Sequence, residues 1–118
     1  MDRIDRINQQ IKQELGNILL RDLSDPRLIL VTITAVKTTR DLRHARVFFS
    51  VLGDTAQIES VENGLRSASG RIRRLISKRL TFRNVPDFSF FYDKSIEEGS
   101  RIDQTLSDIH DEEDYPNN

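Results

Sequence analysis

Cysteine is absent from the 118-residue chain. Disulfide scaffolds, thiolate zinc sites, iron–sulfur clusters and cysteine nucleophiles are therefore excluded. No apolar run approaches the length of a membrane span, and the opening MDRIDRINQQ is charged where a secretory signal would carry an apolar core. The expected address is the cytoplasm. Histidine is scarce: His44 sits beside Arg43, and His110 lies near the end, so no Ser–His–Asp arrangement can be traced. Phosphate-loop and dinucleotide fingerprints are missing. Asp111 to Asp114 with His110 lack the glycine turn and spacing of a calcium loop. No metal, cofactor or small-molecule substrate is expected, and no catalytic residue.

Acidic and basic residues nearly balance, 19 against 18, for a net charge of −1. The average conceals a separation. Six of the 19 acids (Asp103, Asp108, Asp111, Glu112, Glu113, Asp114) fall in residues 103–118, a stretch without Lys or Arg. The preceding 102 residues therefore hold 18 bases against 13 acids, a balance of +5, and the tail carries −6. Such asymmetry is a compositional sign of a nucleic-acid partner.

At this length, with 36% hydrophobic residues, one domain with an ordinary core is expected. Ile4, Ile7, Ile11, Leu15, Ile18 and Leu19 recur at three- and four-residue spacing and predict an amphipathic helix. It should end near Arg21 to Leu23, ahead of the turn residues Ser24-Asp25-Pro26-Arg27. Ile29, Val31, Ile33 and Ala35 alternate with Leu30, Thr32 and Thr34 and predict a strand. After the polar link Thr38-Thr39-Arg40-Asp41, Ala45, Val47, Phe49 and Val51 alternate with His44, Arg46, Phe48 and Ser50 in a second, with one face on a core.

Gly53-Asp54-Thr55 offers a turn and helix N-caps. From Ile58 the apolar series Val61, Leu65, Ala68, Ile72, Leu75, Ile76, Leu80 is helical, with Ser67-Ala68-Ser69-Gly70 in its middle. A glycine costs a helix roughly 1 kcal/mol relative to alanine, and serines compete for backbone hydrogen bonds, so two helices meeting at Ala68 to Gly70 are expected. Phe88 to Tyr92 predict a third strand, with Phe88, Phe90 and Tyr92 as packing residues. Ser95 to Glu98 has capping-box spacing ahead of a last helix through Ile102, Leu106 and Ile109. The expected architecture is α+β, in the order helix, strand, strand, helix, kink, helix, strand, then a short helix. Residues 1–109 form the domain and 110–118 an acidic flexible tail.

Arg66, Arg71, Arg73, Arg74, Lys78, Arg79 and Arg83 lie between residues 66 and 83 without one acid. At roughly 100° per residue, Arg66, Arg71, Arg73, Arg74 and Lys78 fall opposite the apolar arc, a cationic ridge with no carboxylates one turn away to neutralise it. Arg79 falls inside the apolar arc, so it either snorkels at the helix end or marks a change of phase after the kink. Phosphate backbones need several cations in series, and arginine adds bidentate contact and stacking. The small residues Ser67, Ala68, Ser69 and Gly70 would let an RNA backbone approach. A membrane-surface helix is excluded because the apolar stripe is needed for the core. Arg3, Arg6, Arg40 and Arg43 are further candidates for RNA contact, as is Arg27, which could instead pair with Asp25 or Asp41. Phe48, on the less apolar strand face, is read as packing rather than as a stacking platform.

Several segments carry a resemblance. Arg3-x-x-Arg6-Ile7 opens the first helix and Asp25-Pro26-Arg27-Leu28 follows it. Asp41-Leu42-x-x-Ala45-x-Val47-Phe48 leads into the second strand, Ala68-Ser69-Gly70 marks the kink, and Arg83-x-x-Pro86 precedes Phe88-x-Phe90-x-x-Asp93-x-Ser95. In this order and spacing the sequence resembles the ribosome-binding factor A family of bacterial small-subunit assembly factors, over residues 3 to about 106. The resemblance implies a type II KH-like fold whose glycine loop is replaced by the alanine-centred kink. It also implies a non-enzymatic protein that binds the free 30S subunit through 16S rRNA. Such a protein assists late maturation of the subunit, including processing of the rRNA 5′ end.

The expected protein is a monomer. Two other readings remain open: a module whose basic ridge docks an acidic protein, and a hydrolase acting through Asp93 and Glu97.

Overall fold

The computed structural model describes residues 2–82 and 84–94. Helix α1 spans Arg3–Asn17, a π-helical turn continues it over Ile18–Asp22, and a single 3-10 turn covers Pro26–Leu28. Strands β1 (Val31–Thr38) and β2 (His44–Val51) precede helix α2 (Thr55–Arg79), and β3 (Asp87–Tyr92) follows it. The expected last helix, the acidic tail and Arg83 lie outside the described residues.

Local sequence explains the helix starts. The Asp2 carboxylate accepts from the Asp5 amide at 2.9 Å and caps α1. Asp54 caps α2 in a reciprocal box with Gln57, both bonds 2.9 Å long. The α1 helix ends where Leu23 turns extended, as the following Ser-Asp-Pro requires.

The sheet has the order β1-β2-β3, antiparallel between β1 and β2 and parallel between β2 and β3, with α2 as the crossover. Both helices contribute to a single core. Ile7, Ile11, Leu15 and Ile18 of the first helical segment and Val61, Leu65, Ile72 and Ile76 of α2 pack with Val47 and Phe49 of β2. Burying each such side chain is worth about 1.5–3 kcal/mol, so this shared cluster dominates the stability. Phe88, Phe90 and Tyr92 face it, half-buried, as their alternation predicts. Phe48 packs on the opposite sheet face, 5.7 Å between centroids from Phe91 and 5.5 Å below the Lys37 ammonium.

Two expectations are corrected. The first concerns β1, which begins at Val31 rather than Ile29; Ile29 and Leu30 are 64% and 65% exposed. Ile33 pairs with Phe49 and Ala35 with Phe48, so Thr34 is the extra residue of a bulge. Beyond it the inward set changes from odd to even positions, and Val36 and Thr38 are buried in place of Ala35 and Lys37. The Thr34 hydroxyl donates to the Asp93 carboxylate at 2.5 Å, tying the bulge to the end of β3.

The second correction is the helix break. Residues Ser67 to Gly70 are helical, and α2 is one helix of 25 residues. Buried Leu65 and Ile72 anchor it to the core on both sides of the weak segment. That packing outweighs an intrinsic cost of roughly 1 kcal/mol.

Candidate nucleic-acid interface

The apolar stripe of α2 faces the core, so its other face is fixed toward solvent. Arg66, Arg71, Arg74 and Lys78 are all exposed there, together with Ser67 and Gly70, whereas Ala68 and Ser69 are half-buried. Among the described residues, the side chains of Arg71, Arg74 and Lys78 have no hydrogen-bond or ion-pair partner. Arg66 reaches only the Asn63 side-chain oxygen, at 3.3 Å. Uncommitted cations in series on a rigid helix can each meet one phosphate. At Gly70 an added Cβ would find nothing within 4 Å, so this part of the ridge is open to an approaching backbone.

Arg73 differs from its neighbours. Its guanidinium donates to the Val85 carbonyl at 2.9 Å and the Pro86 carbonyl at 3.3 Å, and stands 3.4 Å from the Asp87 carboxylate. It fastens the linker between α2 and β3 to the helix. Arg79, out of phase with the ridge, meets Asp22 at 2.8 Å and Glu14 at 3.6 Å. It joins the end of α2 to the first helical segment.

Arg27 forms the internal pair that its position made available. Its guanidinium lies 2.6 Å from the Asp25 carboxylate, whose other oxygen also accepts the Arg27 amide. The Arg27 side chain, then its amide, hold the Asp25 carboxyl below its ordinary value, and Asp25 raises the Arg27 pKa. Arg27 is thus less available to a ligand than Arg71 or Arg74.

Arg40 and Arg43 lie exposed in the β1–β2 connection. That turn closes through Leu42 N–H to the Thr39 carbonyl at 2.9 Å and Thr39 N–H to the His44 carbonyl at 2.8 Å. Leu42 adopts φ 63°, a left-handed conformation costly for a leucine. Asp41 holds the turn by accepting from the Thr39 hydroxyl at 2.7 Å and the Arg43 amide at 3.0 Å. These two bonds, the hydroxyl first, pull the Asp41 carboxyl below its ordinary value.

Arg3 and Arg6 line a cleft of about 500 Å³ to which none of the ridge residues of α2 contributes. Ile7 and Gln10 of α1, Asp41 and Leu42 of the turn, and Thr81, Phe82 and Asn84 of the linker complete its walls. Sequence reasoning singled out Arg3, Arg6 and Asp41 but gave Phe82 and Asn84 no role. Only the run of the linker along α1 brings these residues together. Among the described residues no group of three or more His, Asp or Glu could hold a metal ion, and no helix is long and apolar enough to cross a membrane.

Comparison with known proteins agrees with this architecture. The chain matches the family model described as ribosome-binding factor A over residues 3–106. It is 45% identical to ribosome-binding factor A of Lacticaseibacillus casei over 108 residues, 91% of this chain and 92% of that one. It is 47% identical to that of Syntrophus aciditrophicus over 113 residues, 95% and 91% of the two chains. A Thermotoga maritima protein solved by NMR and assigned as a ribosome binding factor A superposes with TM-score 0.66 at 30% identity, covering 74% of this chain and 83% of the other. A Thermus thermophilus ribosome binding factor A homology model, fitted into a cryo-EM map of a 30S–RbfA complex, superposes with TM-score 0.62 at 25% identity, covering 74% and 91%. The α+β fold, the family motifs and identity across nearly the whole length lead to one conclusion: the chain belongs to the ribosome-binding factor A family.

Proposed function

We propose that this protein binds the 30S ribosomal subunit through 16S rRNA and assists its late maturation, including processing of the rRNA 5′ end. It works by binding alone, as a cytoplasmic monomer. The observation that carries this reading is the exposed row of Arg66, Arg71, Arg74 and Lys78 on a helix locked into the core. Such a row gives affinity for a phosphate backbone, and its fixed spacing holds one local RNA conformation over others. Family membership and the Thermus relative placed in a 30S complex supply the partner. Arg3, Arg6, Arg40 and Arg43 extend the contact surface; Arg27 and Arg73 serve it chiefly by holding the Pro26–Leu28 turn and the linker in place.

Co-sedimentation of the protein with a mixture of free 30S subunits, free 50S subunits and joined ribosomes at near-physiological salt tests the reading. Selective migration with free 30S subunits is expected. An unbound protein, or one that follows every particle until salt releases it, would leave only a polyanion-binding surface. The 5′-end role is tested by mapping rRNA ends in cells depleted of the protein, where precursor ends should accumulate.

A further inference from the structure

Two arginines, an aromatic ring, a carboxylate and two amides line the cleft between α1, the β1–β2 turn and the linker after α2. Arg3 and Arg6 stand one helical turn apart and both are exposed; among the described residues neither guanidinium is committed. Phe82 is half-buried against the core, which fixes its ring in the cleft wall. Asp41 uses one carboxylate oxygen, Oδ1, on Thr39 and Arg43. The other, Oδ2, has no hydrogen-bond or ion-pair partner among the described residues.

We propose that this cleft receives one unstacked RNA nucleotide whose base carries an exocyclic amino group. Arg3 and Arg6 hold the phosphate, Phe82 stacks on the ring, and Asp41 accepts from the amino group. The inference rests on the RNA-binding reading above and adds a base preference, which a ridge of cations cannot supply.

The chemistry selects this ligand in three steps. Paired guanidinium groups match phosphate geometry better than any neutral ligand. A volume of about 500 Å³ lies within the range of small-ligand sites and admits a single nucleotide rather than a duplex. An acceptor-only carboxylate favours an amino group at the base edge and repels a carbonyl oxygen in the same place, so cytosine is accepted where uracil is refused. The hydrogen bonds from Thr39 and Arg43 keep Asp41 ionised and fixed in orientation, as that discrimination requires.

Fluorescein-labelled pentanucleotides of cytidine and of uridine, titrated with the full chain at low salt, test the cleft. These two probes carry equal charge and equal ring size, so the ridge binds them alike. Oligo(C) should bind about tenfold more tightly than oligo(U). Asp41→Asn keeps an acceptor for Thr39 and Arg43 but can also donate, so it should abolish the preference. Phe82→Leu should weaken both oligonucleotides about tenfold while keeping their ratio. Equal binding of the two probes by the unaltered protein, or a preference that survives Asp41→Asn, would overturn the cleft and leave the ridge standing. Failure of both probes to bind would overturn the RNA reading itself.

Discussion

Gly64 of α2 lies so close to the Pro26–Leu28 turn that a Cβ at this position would stand 3.2 Å from Leu28 Cδ2 and 3.3 Å from the Asp25–Arg27 pair. Leu28 is 1% exposed, so its methyl must give by a few tenths of an ångström within the core. Gly70, six residues on in the same helix, faces open space. Gly70→Ala should therefore raise stability by about 0.5–1 kcal/mol, the ordinary helix gain. Gly64→Ala should lower it by about 1 kcal/mol, because crowding in a filled contact exceeds the same gain. Urea unfolding of the two variants separates them, and equal stabilisation would show that the turn yields freely.

If Gly70 also lets an RNA backbone approach, Gly70→Ala should weaken 30S binding while stabilising the fold. A single preparation, assayed by unfolding and by co-sedimentation, gives both answers. Unchanged affinity would place the RNA away from this turn of the helix.

Arg71, Arg74 and Lys78 have uncommitted side chains among the described residues, whereas Arg73 holds the linker. Changing the first three to Glu should cut affinity for rRNA by at least about a hundredfold and flatten its salt dependence, with an unchanged unfolding curve. Arg73→Ala should instead cost about 1–2 kcal/mol of stability, since the Val85 and Pro86 carbonyls lose their donor. Filter binding at two salt concentrations, alongside denaturation, checks the division of labour.

Arg79 joins α2 to both Glu14 and Asp22 at a site where its own side chain is 33% exposed. A double-mutant cycle of Arg79→Met with Asp22→Asn should give a coupling of about 0.5–1 kcal/mol, decreasing as salt is added. A coupling indistinguishable from zero would make the 2.8 Å contact incidental to stability.

Asp25 and Asp41 both titrate below the ordinary 3.8 of an aspartate. A carboxyl with a depressed folded-state pKa contributes stability above its unfolded pKa and loses it as pH falls through the folded one. Both turns should therefore hold at pH 5 and loosen only below 3.8. Carbon-detected NMR titration of the two carboxyls checks this. Arg27→Gln should bring the Asp25 midpoint up toward its ordinary value and leave Asp41 where it is.

The three strands, the first helix and the cationic face of α2 were legible in the sequence because each depends on a local period. Val47 and Phe49 alternate with Arg46 and Phe48 whatever lies above them, and the phase of Val61, Leu65, Ile72 and Ile76 puts Arg71 and Arg74 outside. The bulge at Thr34 was not legible. An extra residue leaves the alternation looking intact, and only pairing with β2 shows that the inward set has changed.

The same division separates the arginines. Sequence placed Arg66, Arg71, Arg73, Arg74 and Lys78 on one face and Arg79 inside the apolar arc, because charge and phase are properties of the chain alone. Which of them stay available depends on carbonyls and carboxylates brought in from elsewhere: Val85 and Pro86 for Arg73, Glu14 and Asp22 for Arg79. The continuity of α2 through Gly70 is likewise a tertiary outcome, since local propensity favours a break and burial of Leu65 and Ile72 on either side overrides it. The cleft that gathers Arg3, Asp41 and Phe82 from three distant segments has no sequence period at all, so packing alone decides it.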